Sequence, residues 1–375
     1  MSAGPIPVVV VGQTPPPFGG QAVMIRMLLD GHYERIALHH VRMAFSDDMD
    51  SVGRFRYRKL WILFTTIIEV AIARLRTGAR VLYYPPAGPN TVPVLRDVIL
   101  LTFTRWMFRH TVFHFHAGGV SGHRDRLPAL LRPFFDHAYG KPDLAIRTAR
   151  QNPDDGAAFQ AARSIVVPNG IPDMRGTVPE RVAAPGEPLM ILFAGVLVPS
   201  KGVRVLIEAF IDLLKQGVQA RLQLMGRWGD PGFERECRAL LEEHDALGQV
   251  EFLGVLRDRL KFLRFAECDV FCFPSYFEAE SFGLVLVEAM QFAKPVVSTH
   301  WRGIPSVVED GVNGYLAPVR DPAAITERLR LLASDRDLRE RMGEAGRRIF
   351  QERFTLERFH ENMEKALSGV DEGRE

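Results

Sequence analysis

The stretch Glu280-Ser281-Phe282-Gly283-Leu284-Val285-Leu286-Val287-Glu288 sets two carboxylates eight positions apart, with a glycine between them, directly after the apolar run 269–274. The spacing predicts a junction from loop to helix. With a helix starting near Phe282, Glu280 lies in the loop and Glu288 well inside the helix, which at the α-helical rise parts the two carboxylates by about 10 Å. The N–H groups of the first turn have no partner within the helix, and with the helix dipole they favour an anion between the two acids. Two acids at this interval would by themselves describe an ordinary surface helix, so the flanking sequence decides.

Downstream come Ala289-Met290, Lys294-Pro295-Val296-Val297, Gly303-Ile304-Pro305 and Glu309-Asp310-Gly311-Val312-Asn313-Gly314. In this order the segment resembles the donor-binding half of retaining glycosyltransferases of the GT-B fold, the family marked by a Glu-x7-Glu signature (glycosyltransferase family 4, glycosyl transferases group 1). The resemblance implies an α/β chain of two facing Rossmann-like domains with parallel sheets and an interdomain cleft. It also implies a nucleoside diphosphate sugar as donor, and the span between the carboxylates suits such a ligand. Glu280 and the amides of Phe282 and Gly283 are then expected to hold the sugar, with Leu284 beside them, and Glu288 the ribose.

Size and composition are compatible with two domains. A chain of 375 residues is long for a single core. Its formal net charge of +2 calls for no nucleic-acid partner. Cys237, Cys268 and Cys272 are too few, and odd in number, for a disulfide framework, which points to a reducing compartment. Cys268 and Cys272 are expected to bracket a strand, and a zinc site would need more ligands at closer spacing. The start Met-Ser-Ala-Gly-Pro carries no basic n-region, so a cytoplasmic location is expected, peripheral at most to the membrane.

Short apolar runs alternate with helical periodicity along the chain, the pattern of a parallel sheet covered on both faces. The expected strands are 7–12, 36–43, 81–84, 111–116, 143–146 and 164–167 in the first half. Those of the second half are 190–196, 221–225, 250–253, 269–273, 295–298 and 314–317. Residues 172–188, rich in Pro, Gly and charge, read as a linker. The expected division is a first domain over 1–172, a linker over 173–188, a nucleotide-sugar-binding domain over 189–350, and a last helix over 351–375. By the resemblance, that helix crosses back to the first domain, and 370–375 form a loose tail.

Ligands of open parallel sheets sit beyond the carboxyl ends of the strands, so motifs there carry weight. Gly19-Gly20 follow the first strand and precede a helix, an arrangement that lets a phosphate approach the backbone. A dinucleotide fingerprint is absent at this point. His114 and His116 share one face of the fourth strand, with His116 at its end. A histidine on an apolar strand is ordinarily a core residue, and His114 is read so. In resembling enzymes a histidine in the position of His116 reaches the transferred sugar. Gly195-Val196 and Lys201-Gly202 open the second domain. The family commonly has arginine where Val196 stands, so one charge of the expected diphosphate clamp is missing and Lys201 remains. Arg302 or Arg227 is a candidate replacement, and Ser281, Arg302 and Ser306 are further departures from the family pattern.

The resemblance implies a retaining, metal-independent sugar transfer with no cofactor beyond the co-substrate, UDP-sugar before GDP-sugar. The expected catalytic residues are Glu280, His116 and Lys201, and the expected donor-binding residues are Gly19, Gly20, Lys201, Phe282, Gly283, Leu284, Glu288 and Arg302. The acceptor is expected to be a saccharide or a lipid-linked saccharide in bacterial cell-surface polysaccharide assembly. The basic, aromatic stretch 54–76 (Arg54, Arg56, Arg58 and Lys59 before Leu60-Trp61-Ile62-Leu63-Phe64) suits either a sheet-covering helix or contact with the inner membrane surface. It is too short and interrupted to span a bilayer. A non-hydrolysing sugar-nucleotide epimerase and a catalytically silent binding protein are the rival readings.

Overall fold

The computed structural model describes residues 4–16, 18–45, 57–181 and 186–371. Within the expected stretch 54–76, Arg54 and Arg56 lie outside the described residues. The chain divides into two compact units, one of Met1–Gly170 with Leu356–Glu375 and one of Ile171–Thr355.

The first unit is a parallel sheet of strands β1 (Ile6–Gly12), β2 (Ile36–Arg42), β3 (Val81–Tyr84), β4 (His110–Phe115), β5 (Leu144–Arg147) and β6 (Arg163–Val166). Its order is β2-β1-β3-β4-β5-β6. Helices α1 (Gly20–Leu29), α2 (Tyr57–Thr77), α3 (Thr91–Thr104), α4 (Arg132–Tyr139) and the short α5 (Asp155–Ala158) connect the strands. Alternation along the strands sends Val9, Val11, Leu82, Tyr84 and Phe113 to one face. There they form a single core with Leu63 and Val70 of α2, Val98 and Leu101 of α3, and Phe135 and Tyr139 of α4. Those three helices therefore cover the same face of the sheet.

The second unit repeats the architecture with β7 (Leu189–Ala194), β8 (Ala220–Met225), β9 (Val250–Gly254), β10 (Val270–Phe273), β11 (Val296–Thr299) and β12 (Gly314–Ala317), in the order β12-β11-β10-β7-β8-β9. Its helices are α6 (Val203–Lys215), α7 (Pro231–Glu243), α8 (Asp258–Glu267), α9 (Leu284–Gln291), α10 (Pro322–Ser334) and α11 (Arg336–Arg353). The last helix, α12 (Leu356–Asp371), groups with the first unit, where His360 Nε2 lies 2.8 Å from the Met27 carbonyl oxygen.

Local chemistry explains several of these boundaries. Asp230 and Asp321 cap α7 and α10 by accepting from Phe233 N at 2.8 Å and Ala324 N at 2.9 Å, each with proline at the first helical position. Within the expected linker, the described segment 173–181 groups with the second unit. Asp173 is held by Arg347 at 2.5 Å and Arg181 by Asp269 at 3.2 Å, so charge ties it to the second unit. Val370 and Asp371 complete α12 instead of opening a tail, because Val370 is buried. Cys272 lies inside β10 instead of flanking it. All three cysteines are buried and unbridged, and burial pushes the Cys237 and Cys268 thiols up to about 12. No helix among the described residues is long and apolar enough to cross a membrane.

Candidate active site

In the second unit the chain reverses its direction of winding between β10 and β7, which are neighbours in the sheet. Loops leaving their carboxyl ends diverge there and open a ligand position. Glycine makes the crowding around it possible. Gly202 has φ of +79°, and a Cβ on it would lie 2.0 Å from the Pro274 carbonyl oxygen, so the loop after β7 rests directly on the backbone after β10. Tyr276 N donates to Ser200 O at 2.8 Å across the same junction. On the other side, a Cβ on Gly226 would lie 1.7 Å from Gly195 O, and Leu197 N donates to Arg227 O at 2.8 Å.

Three loops are thereby fastened around Lys201 and Glu280. Lys201 Nζ donates to Glu280 Oε2 at 2.5 Å, and Ser275 Oγ donates to the same oxygen at 3.0 Å. The ammonium also stands over the Phe277 ring, 4.6 Å from its centroid, and 5.4 Å from that of Phe273. Glu280 is only 8% exposed. Burial of that carboxylate requires the cation and hydroxyl it receives. The sequence reading assigned the two side chains to different parts of a ligand, whereas the fold pairs them with each other.

Helix α9 begins at Leu284, two residues later than expected, because Gly283 at its N-cap is left-handed with φ of +77°. No side chain caps this end. The Phe282 side chain is buried edge-on against Phe354 at 5.5 Å, which leaves only its backbone for a ligand. One turn on, Glu288 Oε1 accepts from Lys261 Nζ of α8 at 2.5 Å, while Oε2 is buried with no hydrogen-bond partner among the described residues. Lys261 was missed from the sequence, since nothing local to position 261 signals a partner 27 residues away.

Arg302 has φ of +47° and its guanidinium lies 5.5 Å from the Trp301 ring centroid. Trp301 Nε1 in turn donates to Phe277 O at 2.8 Å, fastening the loop after β11 to the loop that carries Glu280. Tyr276, with Arg320 over its ring at 4.6 Å, also went unnoticed in the sequence. Among the described residues no group of three or more His, Cys, Asp or Glu is placed to hold a metal ion.

In the first unit, Gly19 is the N-cap of α1 and Gly20 its first residue, with no side-chain cap on that end either. His116 directly follows β4 instead of ending it. It is buried, its ring centroid 4.0 Å from that of His114, which shares a 2.7 Å hydrogen bond with the Tyr83 hydroxyl. Burial lowers the pKa of His116 to about 3 and drives that of His114 well below the usual range, so both rings are neutral near pH 7. Asp155 accepts from Gly119 N at 2.7 Å and Ser121 N at 2.8 Å, which holds the loop that follows.

Comparison with known proteins places this architecture. Residues 175–349 match the family described as Glycosyl transferases group 1. A phosphatidyl-myo-inositol mannosyltransferase of Mycobacterium leprae is 31% identical over 222 residues, 58% of this chain and 56% of that protein. A putative colanic acid biosynthesis glycosyltransferase, WcaL, of Escherichia coli is 36% identical over 163 residues, 42% of this chain and 39% of that protein. The chain thus spans about half the length or less of these two relatives. Among solved structures, sucrose-phosphate synthase from Thermosynechococcus elongatus superposes with a TM-score of 0.72 at 18% identity, over 98% of this chain and 100% of that one. Anabaena HepE in complex with UDP and glucose superposes with a TM-score of 0.71 at 17% identity, over 97% and 100%. At these identities the shared property is the fold. The chain has the two-domain α/β GT-B fold, and its residues 175–349 match the glycosyl transferases group 1 family.

Proposed function

We propose that the chain is a retaining glycosyltransferase of polysaccharide or glycolipid biosynthesis. It would move a sugar from a nucleoside diphosphate sugar, UDP before GDP, to a hydroxyl of a saccharide or lipid-linked acceptor on the cytoplasmic side of a bacterial cell. The observation that carries this reading is the Lys201–Glu280 pair beside the uncapped start of α9. An ion pair ready to exchange partners suits a ligand that brings both a diphosphate and hydroxyl groups. The diphosphate takes Lys201 and the first-turn N–H groups of Leu284 and its neighbours, and Glu280, released, accepts from sugar hydroxyls. Glu288, with its second oxygen unused, accepts from the ribose while Lys261 holds the first. Arg302, and in the first unit Gly19, Gly20 and His116, complete the proposed set. The names of the similar proteins and the UDP and glucose of Anabaena HepE support the class of donor.

In the transfer, the bond between the anomeric carbon and the phosphate oxygen breaks as the acceptor oxygen bonds to that carbon on the same face. The acceptor proton passes to the departing phosphate. Positive charge grows on the sugar and negative charge on the diphosphate, so groups of both signs must already be in place. Neither glutamate serves as a covalent nucleophile, and no metal is used. Incubation of the purified chain with UDP- and GDP-sugars tests the reading, and slow donor hydrolysis is expected. Glu280→Ala should lower it by about 100-fold or more, the usual scale for losing a transition-state contact. Full activity in that variant would remove Glu280 from the site. An epimerised donor would mark an epimerase, and binding without turnover a silent binding protein.

A further inference from the structure

A helix that covers a sheet is normally polar on its outer side, because only one stripe is buried. Helix α2 departs from that rule. Leu63, Thr66 and Val70 face the core, yet the opposite side carries Trp61, Phe64, Ile68 and Leu75, with Trp61 67% and Leu75 81% exposed. The neighbouring helix and the turn after it add Phe103 and Trp106, the latter 75% exposed. Both helices pack on the same face of the first sheet, so these side chains point away from it in one layer. Most of the large apolar side chains exposed among the described residues belong to α2, to α3 and its turn, or to α4 and the turn before it. An apolar surface of this extent marks something that covers it.

Charge identifies what that is. Over residues 60–80 the one acid is Glu69, against Arg74, Arg76 and Arg80, and over 91–110 the one acid is Asp97. Asp97 is buried, bonded to the Tyr84 hydroxyl at 2.6 Å and to Arg96. The end of α2 and the turn after α3 are tied together: Arg74 Nε donates to Met107 O at 3.0 Å, and Arg109 N donates to Arg80 O at 2.9 Å. This brings exposed Arg76, Arg80 and Arg109 into the same region as Leu75 and Trp106. Tryptophan and leucine beside unopposed arginines are the composition of a surface that enters the headgroup layer of an anionic bilayer. A second copy of the chain docked on the same face by a two-fold axis would set these arginines against their own equivalents.

We propose that the outer face of α2, α3 and the turn after α3 binds peripherally to the surface of an anionic phospholipid bilayer. The proposal stands apart from the assignment of sugar transfer, because it uses none of the site residues. Flotation of the full chain with vesicles of phosphatidylcholine, with and without phosphatidylglycerol, tests it. The chain should float with the anionic vesicles and be released by high salt. Trp61→Ser with Trp106→Ser should lower the floating fraction by about tenfold, and Arg76→Ser with Arg109→Ser should remove the preference for phosphatidylglycerol. All four side chains are exposed, so melting temperature and hydrolysis of a soluble donor should be unchanged. Failure to float with anionic vesicles would overturn the proposal. So would equal flotation of the tryptophan variant, or a lipid-free dimer that this variant converts to monomer.

Discussion

At the scale of single residues, the candidate site contains two acids each held by a lysine, Glu280 by Lys201 and Glu288 by Lys261. These pairs were illegible in the sequence even though three of the four residues stood out, because 79 and 27 positions separate the partners and only the fold joins them. The pairing separates their roles. Lys201→Ala removes the cation proposed to bind the diphosphate and leaves Glu280 buried with Ser275. We expect kcat/KM for the donor to fall by about 100-fold, with kcat carrying most of the loss, since the charge on the leaving group grows toward the transition state. Lys261→Ala should raise KM with kcat nearly unchanged if Glu288 holds the ribose as proposed, because the ribose does not alter in the reaction. Steady-state kinetics on both variants checks the split, and an equal effect on kcat would move Lys261 into the chemistry.

At the scale of elements, each of the twelve expected strands corresponds to a strand of the structure, with edges shifted by a residue or two. Parallel strands buried on both faces are continuous apolar runs ended by Gly, Pro or charge, which is why they are readable without their neighbours. The start of α9 was less readable. Apolar spacing alone continues the helix back to Phe282, and what stops it is the left-handed backbone of Gly283. Substitution there tests the local account. In Gly283→Ala the new Cβ would lie 2.8 Å from Leu286 Cδ1, on a backbone with φ of +77°. The expected cost is about 1–2 kcal/mol, read as a lower denaturant midpoint. Donor affinity should fall further than stability does, because the first turn proposed to face the diphosphate must shift. The segment 173–181, within the expected linker, is hard to read for a related reason. Its composition is that of a linker, but Asp173 and Arg181 find charged partners that composition does not reveal.

At the scale of the whole molecule, the two units differ in the burial of histidine. His114 and His116 lie inside the first unit, whereas His244 and His300, the histidines of the second, are exposed. The pKa of His116 falls from 6.5 to about 3 on folding, through burial. Between those values the unfolded chain binds a proton that the folded chain does not, so stability is complete above about pH 6.5 and is lost as pH falls toward 3. Acidification from pH 7 to pH 5 should cost the first unit about 2 kcal/mol through His116, and His114 acts in the same direction. Carboxylates titrate mainly below this window, so the second unit should hardly respond. Hydrogen exchange at the two pH values, corrected for intrinsic rates, should show protection falling in β1, β3 and β4 while β7, β8 and β10 keep theirs. His116→Gln should lessen the pH dependence of the first unit, with the part due to His114 remaining. Equal loss of protection in both units would mean that another group, common to both, governs their acid stability.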